Sequence, residues 1–391
     1  MMQRKFNSPP PIWPASRRSS GFGLVELMVS VAIGLVIIAA LVSLFLGTSR
    51  NNREMATANS VIENGRFAIQ LLENDIVHAG FWGTHVPQFD DQTLTVAPLD
   101  VPGPVVPDPC LAYSVANWNA AYVNSMLGIP VQAYESAAVC AGVITSKTAN
   151  TDVLVVRHAE TCMPGVGGCD ADTAGKLYLQ STRCTSDTTP FVFGATGTAT
   201  FDLLQRDCTT LAEKRRFLSR IYFVRDVTVT EPDGSTRVVP TLMRSEFDLP
   251  AAGTLGHQPA VPLIEGIERL RVEIGVDNVS LTGGAVDYTA AINWQDPVQK
   301  TRATNRGDGI PDGLFVRCTD ATPCTTEQLM NATAVRIYVL ARSRDATRGY
   351  TDTKTYTLGS ATAGPFNDGF KRHVYTTTVR LPNVSGRRER P

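Results

Sequence analysis

A chain of 391 residues, 43% hydrophobic and 19% charged, is long enough to bury a sizeable core and too apolar for general disorder. Its formal net charge of −1, with no long basic block, gives no electrostatic reason to expect a nucleic-acid partner. Residues 1–21 hold four basic residues and no acidic one, so the rest of the chain carries 32 basic against 37 acidic residues and is mildly acidic.

The four basic residues, Arg4, Lys5, Arg17 and Arg18, all precede an apolar segment. Leu27 through Ser49 is an uncharged run of 23 residues, roughly 34 Å as a helix, enough to cross a hydrocarbon core of about 30 Å. No proline occurs between Pro14 and Pro87, so the helix is predicted to continue far past the membrane. Only Arg50 and Arg53 follow closely, and this bias puts the N-terminus in the cytoplasm and the bulk of the chain outside. A cleaved secretory signal would have a shorter apolar core. A plain signal anchor has the right length but gives no reason for Glu26, since a carboxylate in or beside hydrocarbon is costly unless paired.

Gly21-Phe22-Gly23-Leu24-Val25-Glu26, behind Arg17-Arg18-Ser19-Ser20, resembles the processing site of type IV prepilins and pseudopilins. The resemblance implies a leader, 1–21, removed by a membrane prepilin peptidase between Gly21 and Phe22, followed by methylation of the new N-terminus. Glu26 then becomes the fifth mature residue. Residues four apart share a helix face, so its carboxylate is expected to pair with the Phe22 ammonium of its own chain or a neighbour's.

Residues 22–49 form the expected transmembrane and filament stem, and 50–83 the outer half of the same helix. Met55, Ala58, Ile62, Gly65, Ile69, Leu72, Ile76 and Ala79 recur in steps of three and four, predicting a narrow apolar stripe packed on the chain's own head. Asn64-Gly65-Arg66-Phe67-Ala68, Leu71 through Ile76, and Ala79-Gly80-Phe81-Trp82-Gly83 are similar to the distal first helix of minor pilins of the type IV pilus assembly W family. Gly80 and Gly83 are placed to end the helix, with Phe81 and Trp82 seating that end against the head.

From residue 84 to 391, short β-prone runs alternate with turn residues. Strands are predicted at 153–157, 176–180, 217–225, 237–243, 269–276, 334–341, 353–358 and 374–381. Residues 98–109 read as a turn-rich connector, and 279–309 as an irregular excursion with a short strand. Six of the eight cysteines fall within 90–216, marking a candidate insertion or sublobe. All eight, Cys110, Cys140, Cys162, Cys169, Cys184, Cys208, Cys318 and Cys324, lie in the exported part, where structural disulfides are expected. Closeness favours Cys162–Cys169 and Cys318–Cys324, while Cys110–Cys140 and Cys184–Cys208 are candidate pairings for the rest. Residues 264–277, 307–312, 334–343 and 373–383 are also similar to the assembly W family. The expected fold is therefore α+β and pilin-like: a long N-terminal helix packed on a large antiparallel, disulfide-containing head.

Catalytic patterns are absent. Five histidines form no strong ligand spacing, Gly175-Lys176 lacks the rest of a phosphate loop, and no serine-nucleophile elbow occurs. Asn305, Asp308 and Asp312 are candidate hard-oxygen ligands for Ca2+, without EF-hand spacing; a solvated turn held by Asx bonds accounts for the same residues. No cofactor is otherwise expected. The resemblance implies a noncatalytic minor pilin of the inner membrane, single-pass with a periplasmic head, supporting pilus biogenesis and twitching motility. Its expected partners are other minor pilins, the major pilin and a tip adhesin. The alternatives are a minor pseudopilin of a type II secretion system and a membrane-tethered periplasmic hydrolase.

Overall fold

The computed structural model describes Gly21 and residues 23–93, 100–250 and 253–388. The leader before Gly21, the expected new N-terminus Phe22, and residues 98 and 99 of the connector lie outside the described residues. Two compact units meet in sequence at Ala56 and Thr57.

The first unit holds the opening turns of α1 (Leu24–Ile76), an uninterrupted helix of 53 residues. Every large apolar side chain from Leu24 to Leu46 is exposed in the isolated chain. Such a surface is stable only when lipid or other apolar surface covers it.

The second unit begins with the outer turns of α1. Val61, Gly65, Ala68, Leu72, Asp75 and Ile76 are buried there, and Ala79 follows just beyond the helix. The buried stripe shares Gly65, Leu72, Ile76 and Ala79 with the expected one, but is rotated. Met55, Ala58 and Ile62 face outward, while Val61, Ala68 and the charged Asp75 face in. The seven-residue step from Val61 to Ala68 to Asp75 completes a face that a purely apolar count misses.

Among the described residues, eight strands form one antiparallel sheet: β1 (Val131–Tyr134), β2 (Val153–Ala159), β3 (Leu177–Ser181), β4 (Phe191–Ala195), β5 (Lys214–Thr230), β6 (Thr236–Asp248), β7 (Gly256–His257) and β8 (Val261–Glu265). The long hairpin β5–β6 is its axis. β2 and β3 pair with successive parts of β5, and β7 and β8 pair with β6. The later strands are β9 (Ile267–Val276), the hairpin of β10 (Trp294–Asp296) and β11 (Thr301–Ala303), β12 (Ala332–Arg342), the hairpin of β13 (Tyr356–Leu358) and β14 (Ala361–Ala363), and β15 (Arg372–Arg380). β12 lies between β9 and β15 in a second antiparallel sheet. One core joins Leu72 and Ile76 of α1, Leu154 and Tyr222 of the first sheet, and Leu270 and Ile337 of the second. The single residue between β8 and β9 is Gly266, at φ +77°, where an added Cβ would lie 2.8 Å from the Arg342 carbonyl oxygen.

All eight predicted strand positions carry strands, and a hairpin occupies the excursion at 279–309. The cysteines form four disulfides: Cys110–Cys140, Cys162–Cys169, Cys184–Cys208 and Cys318–Cys324.

Candidate functional site in the stem and its seat

Glu26 stands at the third position of α1, one turn from the described N-terminal end. Its Oε2 accepts a hydrogen bond from the Gly23 N–H at 3.0 Å, so the carboxylate caps an N–H that the helix itself cannot satisfy. Ser30 Oγ donates back to the Glu26 carbonyl at 2.6 Å. Glu26 is exposed, and among the described residues no cation is paired with it. Gly21 lies just before this capped turn, and Phe22, its predicted cleavage partner, is outside the described residues.

Farther along, α1 is seated in the head by contacts that depend on small or polar residues. At Gly65 the Tyr375 ring of β15 lies where a side chain would be; an added Cβ would sit 2.0 Å from its Cε2. Tyr375 Oη donates to the Val61 carbonyl at 3.3 Å, and Asn64 Nδ2 donates to the Glu265 carbonyl at 3.0 Å. The helix end is fixed by Gly80, at φ +75°, whose N–H donates to the Arg157 carbonyl of β2 at 3.0 Å. Trp82 is 1% exposed, donates from Nε1 to the Leu127 carbonyl at 3.0 Å, and stacks on Phe217.

The last turn also buries a charge. Asp75 is 5% exposed and accepts from His158 Nε2 at 3.0 Å, Tyr222 Oη at 3.0 Å and the Arg220 guanidinium, which also reaches Glu246 at 3.1 Å. Burial by itself pushes the Asp75 carboxyl up, but hydrogen bonds and charge from His158 and Arg220 outweigh it and hold the group below the ordinary carboxylate range. Burial, and then the Asp75 charge, push the Tyr222 hydroxyl up, so it remains a donor. His158 Nδ1 lies 2.8 Å from the Ala159 carbonyl. Both ring nitrogens thus lie beside oxygen atoms. This cluster forms the floor of a groove of about 860 Å³, walled by Phe67, Leu71 and Val77 of the helix side and by the Cys162–Cys169 loop. Phe67 is 56% exposed at its rim.

The remaining candidates are spent locally. Asn305 Oδ1 accepts from the Asn293 N–H and its Nδ2 donates to the Ala291 carbonyl, both at 2.9 Å. Asp308 Oδ1 accepts from the Ile310 N–H, as an Asx turn does, while Asp312 Oδ2 accepts from the N–H groups of Asn278 and Val279. These bonds hold the loop and aim the three side chains at separate partners. Among the described residues, one set of three ligand-type side chains lies within metal-holding range: Glu160, Cys162 and Cys169. Its two sulfurs are joined in a disulfide and are not thiolates.

Sequence reading missed Asp75 as a buried position of the helix seat, and its partners His158, Arg220 and Tyr222 with it. The available signal was an acid spaced seven and fourteen residues beyond Ala68 and Val61 on one helix face.

A family model described as Type IV Pilus-assembly protein W matches residues 221–383, and one described as the prokaryotic N-terminal methylation motif matches residues 16–42. No curated protein matches the chain. Among solved structures, a type IV-like pilin from Thermus thermophilus is 14% identical over 61% of this chain and 81% of its own, with a TM-score of 0.25.

Proposed function

We infer, starting from a type IV pilin-like chain with an assembly W region behind a prepilin methylation motif, that it is a noncatalytic minor pilin of the initiation or tip complex of a type IV pilus. The observation that carries this reading is the N-terminal part of α1. Every large apolar side chain from Leu24 to Leu46 is exposed, and a lone carboxylate, Glu26, stands five residues after Gly21. In the membrane, lipid covers that surface; in a filament, the stems of other pilins cover it. Cleavage after Gly21 leaves the Phe22 ammonium one turn from Glu26, and the pairing of these groups within or between stems lowers the cost of burying both. The leader stays in the cytoplasm, the head is periplasmic, and the segment 90–216 offers disulfide-closed loops to neighbouring minor pilins or a tip adhesin. Loss of the protein then reduces pilus number and twitching.

The test is photo-crosslinking from the head in native membranes, followed by mass spectrometry. Recovery of minor pilins, together with a mature N-terminus at methylated Phe22, supports the reading. Recovery of secretion-complex components alone replaces it with a pseudopilin role, since stem processing is common to both systems.

A further inference from the structure

Among the described residues, arginine burial in the head follows a pattern with one departure. Arg216, Arg271, Arg306, Arg372 and Arg388 are buried, and each has a carboxylate partner: Asp248 at 2.9 Å, Asp152 at 2.7 Å, Asp91 at 3.5 Å, Asp352 at 2.9 Å and Asp277 at 3.4 Å. Arg157 of β2 is 1% exposed and has no carboxylate partner among the described residues. Its Nη1 donates to the Ile129 carbonyl at 3.2 Å, and its Nη2 has no partner. Asp108, the acid whose charge reaches it, is exposed and makes no ion pair with it. The nearby hydroxyls of Tyr122 and Tyr134 are pushed up to about 12, by burial first, and so supply no negative charge at neutral pH. A guanidinium does not escape by losing its proton, and a buried charge without a counter-charge is strongly destabilising.

Strand register places other unsatisfied groups beside it. Ser219 of β5 lies directly opposite Arg157. Gln132 of β1 lies opposite Val155, two residues before Arg157 on the same sheet face. His257 of β7 lies farther off, opposite Phe247 of β6, whose ring it meets edge-on. Gln132 Oε1 and Ser219 Oγ are each buried without a partner, although Gln132 Nε2 donates to the Pro107 carbonyl at 2.9 Å; the His257 ring is held by Ser245 Oγ, 3.2 Å from Nδ1, and faces the Pro109 carbonyl. Burial and the Arg157 charge lower the His257 imidazolium to about 3, so the ring is neutral and adds no second cation. The row therefore holds one net positive charge, an unpartnered donor in Arg157 Nη2, a hydroxyl in Ser219 and an unpartnered acceptor in Gln132 Oε1.

We propose that this row is an internal binding site for a small monovalent anion of the halide class, held by Arg157 Nη2 and the Ser219 hydroxyl, with water linking it to Gln132. Water alone satisfies the hydrogen bonds but leaves the charge uncompensated. The site joins β1, β2 and β5 behind the helix end, which is tied to β2 because the Arg157 carbonyl accepts from the Gly80 N–H.

Detergent-solubilised full-length protein tests the assignment by calorimetric melting in chloride or bromide, with gluconate keeping ionic strength constant. The melting temperature is expected to rise with halide concentration, and Arg157→Met to remove that dependence. Ser219→Ala, a milder change, should shift the dependence to higher halide. Wild-type protein should also broaden the chlorine NMR line of added chloride, with bromide relieving the broadening. Melting that tracks ionic strength alone, with no bromide-relieved broadening, overturns the proposal and leaves waters as the occupants.

Discussion

Replacing Gly65 with alanine drives a methyl group into the Tyr375 ring. The new Cβ would lie 2.0, 2.4 and 2.7 Å from Cε2, Cδ2 and Cζ, where carbon pairs normally rest at about 3.5–4.0 Å, so the ring must retreat by roughly 1.5 Å. That movement breaks the Tyr375 bond to the Val61 carbonyl and disturbs its edge contact with His373, whose centroid is 4.7 Å away. Overpacking costs about 1–3 kcal/mol and the hydrogen bond about 1 kcal/mol, while alanine returns about 1 kcal/mol of helix propensity. The balance is a destabilisation of about 2 kcal/mol. Denaturant unfolding of the solubilised full chain measures it, and a double-mutant cycle isolates the cause. With Tyr375→Ala already present, Gly65→Ala should change sign and stabilise by about 1 kcal/mol. If Gly65→Ala alone is as stable as the parent chain, the close ring contact does not set this packing, and the reasoning fails.

Asp75→Asn should cost about 2 kcal/mol, because it removes the buried carboxylate that accepts from Arg220, Tyr222 and His158 and leaves Arg220 with Glu246 alone as its counter-charge. The folded Asp75 carboxyl lies below its ordinary 3.8, so its stabilisation is complete above that value and lost as pH falls toward the folded pKa. Unfolding followed across acid pH should show that limb in the parent and not in the asparagine variant. Glu26→Ala should leave membrane insertion intact and reduce co-purification with partner pilins; undiminished co-purification contradicts the role given to Glu26. Replacing both Cys110 and Cys140 with serine should lower stability by about 3–4 kcal/mol, since that bridge closes a separation of 30 residues, and denaturation under oxidising conditions reads the loss. Calcium should leave the melting temperature unchanged, because Asp308 and Asp312 already accept backbone N–H groups; a clear upward shift would restore the loop as a metal site.

Strand positions were legible because alternation survives in the sequence, as with Leu270, Val272, Ile274 and Val276 of β9, all buried. Their limits were less so. β5 begins at Lys214, before its predicted start at Phe217, since the charged Arg216 is neutralised by Glu160, Glu246 and Asp248 and does not end the strand. The helix Ala120–Gly128 was missed although Asn119 caps it by accepting from the Tyr122 N–H at 3.0 Å. At nine residues it is too short for periodicity to announce. The stem was readable from an uninterrupted apolar run and one acid. Its seat was not, since the Asp75 cluster is assembled from strands 83 to 147 residues away in sequence.

The joint at Gly266 has a mechanical consequence. Asn64 grips the Glu265 carbonyl immediately before it, and the Gly266 N–H and carbonyl bond to Pro240 and Arg342, one from each sheet. At this attachment, one of several between helix and head, tension carried along the helix enters at the seam between the two sheets and divides into both. A pull arriving through Asn64 is thus shared by two ladders of hydrogen bonds, β6 of one sheet and β12 of the other.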